Sequence, residues 1–259
     1  MYEPIEASLG LYGTFVRRVT GLGQVTIAGS GVAANDIWPN GGIYPWMIGA
    51  TSLEFLSVGA NAANDTAAGT GAQSVTVSGL DINFNEISET KPTNGTTPVA
   101  LTQQFYRINS VSLGATGSGQ RNAGQINVRD AGGGTVRAII PISTVPDLSP
   151  AISKQSQFTV PVNCTLLIFD IDIQINSSAG GGGSSKGADV LFYFKGPLAS
   201  NPIRLPRALS TTDIVSKSLD PKTMIPVPEK NDFGLRCGYT SAAGVILSGS
   251  WEGLLFRRA

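Results

Sequence analysis

The chain of 259 residues contains no histidine, only two cysteines, and charged side chains at 14% of its positions. Each scarcity excludes a class of chemistry. Without histidine, a Ser or Cys nucleophile loses its usual general base, and the commonest transition-metal ligand is missing with it. Cys164 and Cys237 form no C-x-x-C motif, so zinc binding and thioredoxin-like exchange have no local support, and both read as small buried hydrophobes kept reduced. The charge fraction lies well below the roughly 25% of an average domain. It is also balanced, with Lys+Arg and Asp+Glu at 18 each, so no net field attracts nucleic acid or an anionic membrane surface. No apolar run approaches the roughly 18 residues that a spanning helix needs. The opening MYEPIEASLGLYGTFVRR has acids where a secretory leader would be basic, which predicts a chain neither exported by that route nor inserted in a membrane.

Glycine and alternation are present in abundance. There are 32 glycines, against roughly 7% in average usage, and they punctuate runs of period two. In TLLIFDIDIQIN, residues 165–176, Leu167, Phe169, Ile171, Ile173 and Ile175 alternate with polar residues, the pattern of a half-buried strand. Runs at 52–58, 73–79, 105–113, 125–130, 135–141, 189–196 and 244–256 read the same way. Turn chemistry such as NDTAAGTG, KPTNGTTP and DAGGG separates them. The pattern predicts an all-β fold: an antiparallel β-sandwich of jelly-roll type over 49–259, preceded by an N-terminal extended arm, 1–48. Leu167, Phe169, Ile171, Ile173, Val190, Phe192, Phe194 and Leu255 are expected in or near its core. The one helix candidate is ALSTTDIVSKSL, 208–219, and ISTVPDLSPAISKQ, 142–155, reads as an extended connector around two prolines.

Three motifs invite a chemical reading. In GLDINFNEISET, Asp81, Asn83 and Asn85 occupy the first three ligand positions of a calcium loop, but Glu86 stands where the loop needs glycine and Pro92 where it needs its bidentate Glu. The favoured reading is a turn between two strands, with Asp81 and Asn83 bonding their own backbone. Asp170 and Asp172 sit two apart on one strand face, about 7 Å, within the range of a glycosidase pair, but a solvated strand face accounts for them. GSSKG, 183–187, matches G-x-S-x-G without a strand leading into it or a base to serve it. No catalytic residue, metal site or cofactor is predicted. Trp251-Glu252 is the one aromatic and acid pair in a strand that could serve a glycan site, and a buried Trp251 is the simpler reading. The arginine pairs Arg17-Arg18 and Arg257-Arg258 read as solvated chain ends.

The segment PWMIGATSLEFLSVGANAANDTAAGTGAQSVTVSGLDINFNEISETKPTNGTTPV, together with QFTVPVNCTLLIFDIDIQI, DVLFYFKGP, IPVPEKNDFGLRC and SGSWEGLLF, resembles a family of virion structural proteins of tailed bacteriophages. The likeness covers residues 45–101 and 156–256. It departs at ETKPTNGTT, where a β-branched strand is expected; Lys91-Pro92 removes a ladder donor and predicts an edge or shortened strand. The resemblance implies a non-enzymatic component of a phage particle, assembled in the host bacterial cytoplasm. On that reading the protein is a capsid decoration or head-fibre protein, with a neck or tail component bearing a receptor- or glycan-binding role as the alternative. Expected partners are further copies of the chain, as a homotrimer or higher oligomer, and the major capsid protein or another virion protein. Tyr12, Phe15, Trp38, Tyr44 and Trp46 crowd large apolar groups into the arm, so these are the candidate interface residues. The rival reading has the arm completing the protein's own core.

Overall fold

The computed structural model describes residues 13–142, 151–177, 187–196, 203–212, 216–219, 224–241 and 243–258. Along the chain, β1 (Gly13–Ile27) and β2 (Gly31–Asp36) are followed by β3 (Thr51–Val58), a 3-10 turn at Ala62–Asn64, β4 (Ser74–Leu80), β5 (Glu86–Pro92), β6 (Val99–Phe105), β7 (Arg107–Leu113), β8 (Gln125–Asp130) and β9 (Val136–Ile140). Then come β10 (Phe158–Thr159), β11 (Cys164–Ser177), β12 (Gly187–Lys195), β13 (Ile203–Thr212), β14 (Ser216–Leu219), β15 (Ile225–Val227), β16 (Asp232–Thr240) and β17 (Val245–Arg258). The fold is all-β, its ladders are antiparallel throughout, and no described helix is long and apolar enough to cross a membrane.

The chain forms two compact units rather than one domain over 49–259. Unit 1 takes Met1–Ile37 and Ser156–Ala259, and unit 2 is the continuous stretch Trp38–Gln155, inserted between β2 and β10. The expected boundary at residue 48 fails because the first strands are integral to unit 1. From Gly13 to Ile27, β1 pairs with β17, and β2 pairs with β16. Glycine hid this. A β-carbon at Gly21 would fall 2.3 Å from Trp251 Nε1, and one at Gly23 would fall 2.3 Å from Ile37 O. These glycines make room for neighbours in a sheet, although in sequence they resemble a loop.

Unit 1 is built of one sheet in the order β1-β17-β11-β14, with β15 also on β11, and a second in the order β10-β16-β12-β13, with β2 also on β16. Their inner faces share a single apolar cluster. Leu166, Ile168, Ile171, Ile173 and Ile175 of β11 and Leu247, Trp251 and Leu255 of β17 meet Val190 and Phe192 of β12 and Phe233 and Leu235 of β16. Each such side chain removed from water contributes roughly 1.5–3 kcal/mol. Trp251 stands edge-on to Phe233 and Phe158, with ring centres 5.0 and 5.5 Å away, and donates its indole N–H to Ser156 O at 2.9 Å.

Three expectations for this unit are corrected. A β-bulge between Ile168 and Asp170, opposite Gly253 and Glu252, flips the phase of β11. The core set is therefore Leu166 and Ile168 before the bulge and Ile171 onward after it. Phe169 is only half-buried, beneath the Arg18 guanidinium 5.5 Å from its ring centre, and Leu167 is buried in a separate small cluster with Phe256. Residues 208–212 and 216–219 are strand, paired to β12 and β11, not helix. Ile214, between these two strands, lies outside the described residues.

Unit 2 contains the sheets β6-β3-β8-β9 and β5-β4-β7. β5 is an edge strand ending at Pro92, as the missing proline donor requires. Its Glu89 reaches across to β6 and accepts the N–H groups of Thr102 and Gln103 at 2.9–3.0 and 2.9 Å, while Lys91 Nζ donates to Thr102 Oγ1. A carboxylate thus takes donors that the β6 edge would otherwise leave open. The connector 142–155 is extended where described: Leu113 N–H donates to Ala151 O and Ser153 N–H to Val111 O, lengthening the β7 edge.

Candidate functional site

The residues named as an interface in the arm fall into two groups. The Tyr12 and Phe15 side chains lie outside the described residues. Trp38 and Tyr44 are 1% and 3% exposed and belong to unit 2, so neither offers surface to a partner. Their rings stack edge-on at 5.0 Å, and Tyr44 meets Trp46 in the same way at 4.8 Å. Arg107 of β7 extends the group. It is 2% exposed, donates from Nη1 to Met47 O and Tyr106 O at 2.7 Å each, and stands 5.3 Å from the Trp46 ring centre and 3.9 Å from that of Tyr106. Cation and rings together fasten 38–47 to unit 2. The interface reading is corrected for Trp38 and Tyr44, and the rival intramolecular one describes them.

The carboxylates singled out in the sequence serve structure. Asp81 Oδ1 accepts the N–H groups of Asn83 and Asn85 at 2.8 Å each, and Phe84 adopts φ 64°. GLDINFNEISET is the β4–β5 hairpin with its turn organised by Asp81, as its turn chemistry predicts. Asp170 and Asp172 face outward, opposite Glu252 and Ser250 of β17. Glu252 is ion-paired with Arg18. Trp251, 1% exposed, lies on the core side of its strand and cannot stack on a glycan. The β1–β17 register sets Thr14 opposite Arg257 and Arg17 opposite Leu255, so the arginine pairs from the two ends of the chain lie on neighbouring strands.

Other charged groups are consumed in pairs. Buried Asp36 binds Arg236 through Nε and Nη2 at 2.6 and 3.1 Å, and Arg137 holds Asp130 at 2.8 and 2.6 Å. Glu54 accepts Arg129 Nε at 2.7 Å and the N–H groups of Gly132 and Gly133 at 3.1 Å each. Burial alone would push the Glu54 carboxyl up, but the Gly132 N–H, the Arg129 guanidinium and the Gly133 N–H outweigh it and hold the group below the usual range. Glu89 is held low in the same way, burial being outweighed by the Gln103 and Thr102 N–H groups and by Lys91. Both cysteines are free thiols in buried positions, and burial pushes Cys237 up to about 11. Among the described residues no group of three or more Cys, Asp or Glu side chains converges as a metal site would require.

One concave site in unit 2 has a built floor, and sequence reasoning missed it. Asp65, in the motif NDTAAGTGA, is fully buried. Its Oδ1 accepts Ala72 N–H at 2.7 Å and Ala123 N–H at 2.8 Å, and its Oδ2 accepts Ser57 Oγ at 2.6 Å and Gly124 N–H at 2.8 Å. One carboxylate therefore ties the loop before β4 to the loop before β8. Above that tie lies a cleft of about 240 Å³ bordered by Asn61, Asn64, Thr70, Arg121, Asn122 and Ile142. Gly71 forms part of the same wall, and a β-carbon there would fall 2.1 Å from Asp65 Oδ1. No local spacing announces this site, because its residues come from three loops up to 81 positions apart.

No protein-family model matches the chain, and no curated protein matches it. Two solved structures with weak similarity come from infectious bursal disease virus. The structure of its Gx strain is 11% identical over 96% of this chain and 73% of that one, at a TM-score of 0.26. The crystal structure of its VP2 subviral particle is 13% identical over 95% and 72%, at 0.23. TM-scores of this size do not establish a common fold.

Proposed function

We propose that the chain is a non-enzymatic structural component of a tailed-phage particle, a capsid decoration or head-fibre protein with sandwich units of jelly-roll type, working as a homotrimer on a capsid protein. The observation that carries this reading is the role of the residues on which the sequence resemblance rests. Asp65 of NDTAAGTGA ties two loops, Asp81 and Glu89 of GLDINFNEISET make a turn and join two sheets, and Trp251 of SGSWEGLLF fills a core. A motif set shared for catalysis would converge on a cleft; these residues form a framework. The low charge fraction suits a surface covered by neighbours.

Electron microscopy of whole particles carrying a tagged copy tests the proposal. Repeated copies over the shell are the expected result. Copies confined to one vertex or to the tail overturn the shell assignment in favour of a neck or tail component, and a particle without the protein overturns both.

A further inference from the structure

We infer that the outer edge of β1 is a self-association surface, which pairs antiparallel with the same strand of a second copy of this chain. A strand edge presents a row of backbone donors and acceptors that invites another strand, and proteins blunt such edges with shortness, proline, bulges, charge or cover. The other edges of the described sheets show these devices. In unit 1, β10 has 2 residues, β14 has 4 and β15 has 3. There too, β2 is interrupted by a register shift against β16, and β13 carries Pro206 beside a register shift against β12. In unit 2, Glu89 joins β5 to β6. The segment after Ala151 covers β7 through Ala151 and Ser153, and β9 through Lys154, whose N–H donates to Ile139 O.

β1 is different. It runs 15 residues, Gly13–Ile27, at the end of its sheet, and among the described residues it pairs only with β17. Its bulge lies between Phe15 and Arg17 and its charges are Arg17 and Arg18, so the stretch Val19–Ile27, VTGLGQVTI, keeps a continuous register with no proline and no charge. Its side chains do not shield the edge: Gly21 and Gly23 have none, Thr20 and Thr26 are exposed, and Leu22 is half-buried. No backbone bond ties Val19–Gly23 or Val25–Thr26 to a described element other than β17. The occupant that fits this edge is its own copy. An uncharged stretch has nothing with which to sort an acidic from a basic peptide, whereas antiparallel self-pairing about a two-fold axis matches the same residues from both sides. With the axis at Leu22, Arg18 falls opposite Thr26 of the other copy. The two Arg18 residues then lie about 27 Å apart along the strands, beyond the roughly 8–10 Å over which exposed charges act at ordinary ionic strength. Arg18 also keeps its own partner, Glu252. The pairing fuses the β1-β17-β11 sheets of two copies into one, and because it is two-fold it adds to a three-fold assembly without forming one.

This contact rests on the edges of unit 1 and not on the place of the protein in a particle, so the two readings fail separately. The test is sedimentation of the full chain from micromolar to millimolar concentration, with hydrogen exchange of β1 followed over the same range. The expected result is a species that doubles in mass as concentration rises, with exchange in Val19–Thr26 slowing as it forms. Leu22→Lys sets two like charges beside the two-fold axis and should weaken the doubling by on the order of tenfold, while tryptophan fluorescence shows the fold unchanged. Thr26→Lys, exposed on the same face, carries the test should Leu22→Lys fail to fold. Absence of doubling overturns the proposal, as does an assembly that both lysine variants leave intact or exchange in β1 that does not respond to concentration. A trimer that forms nothing larger overturns it too, and leaves the proposed function standing.

Discussion

Trp251 of β17 lies over Gly21 of β1, its register partner, with no room for even one carbon between them: a β-carbon at Gly21 would meet Nε1 at 2.3 Å and Cε2 at 2.4 Å. The tryptophan fills the unit 1 core only because its neighbour has no side chain. Gly21→Ala must displace an indole fixed by its bond to Ser156 O and its edge contacts with Phe158 and Phe233. A destabilisation of about 1–3 kcal/mol is expected, the usual cost of overpacking. Urea unfolding followed by tryptophan fluorescence measures it, and an unchanged midpoint would show that the indole relaxes freely.

The bulge at Ile168 predicts a contrast between adjacent residues. Ile168→Ala removes a fully buried side chain and should cost about 2–5 kcal/mol. Phe169→Ala removes the larger side chain, yet should cost clearly less, because that ring is half-buried under Arg18. Regular alternation along 165–176 predicts the reverse order. Thermal unfolding of the two variants side by side decides between the registers.

Asp65→Ala leaves the N–H groups of Ala72, Ala123 and Gly124 without their acceptor. At about 1–3 kcal/mol for each buried donor left unpaired, offset in part by water entering the gap, the loss should reach about 3–5 kcal/mol. Hydrogen exchange should rise first at those three amides. Protection unchanged there would show that the loops hold without the carboxylate.

Glu54 and Glu89 titrate below the usual glutamate range in the folded protein. Their contribution to stability is therefore complete above the unfolded value of about 4.3 and is lost as pH falls through the lower folded values. The difference in melting temperature between the wild type and Glu89→Gln should stay constant from neutral pH down to about 5 and shrink in more acid solution. A difference that persists undiminished at the acid end would mean that the Thr102 and Gln103 donors do not depend on the charge.

How much of this was legible in the sequence varies with how local its cause is. The runs at 52–58, 73–79, 125–130 and 244–256 were readable as strands because alternation is a property of consecutive residues, and the β4–β5 turn because Asp81 bonds amides two and four positions on. Strand β1 was not readable. Its glycines mimic a loop, and the reason for them, Trp251 and Ile37, comes from other strands.

Composition and periodicity by themselves determined an all-β chain without histidine chemistry, with a proline-ended edge at β5 and two thiols in apolar settings. Tertiary structure decided the rest. It set the division into two units, because the pairing of β1 with β17 closes unit 1 around an insertion that no composition shift marks. It set which face of β11 is core, because one bulge reverses the phase. It packed Trp38, Tyr44 and Trp46 against one another in unit 2, because Arg107, 60 positions after Met47, supplies the cation and the donor that hold them. It also assembled the cleft over Asp65, because a buried carboxylate can gather amides from loops that are remote in the chain, and only the folded backbone brings those amides within reach.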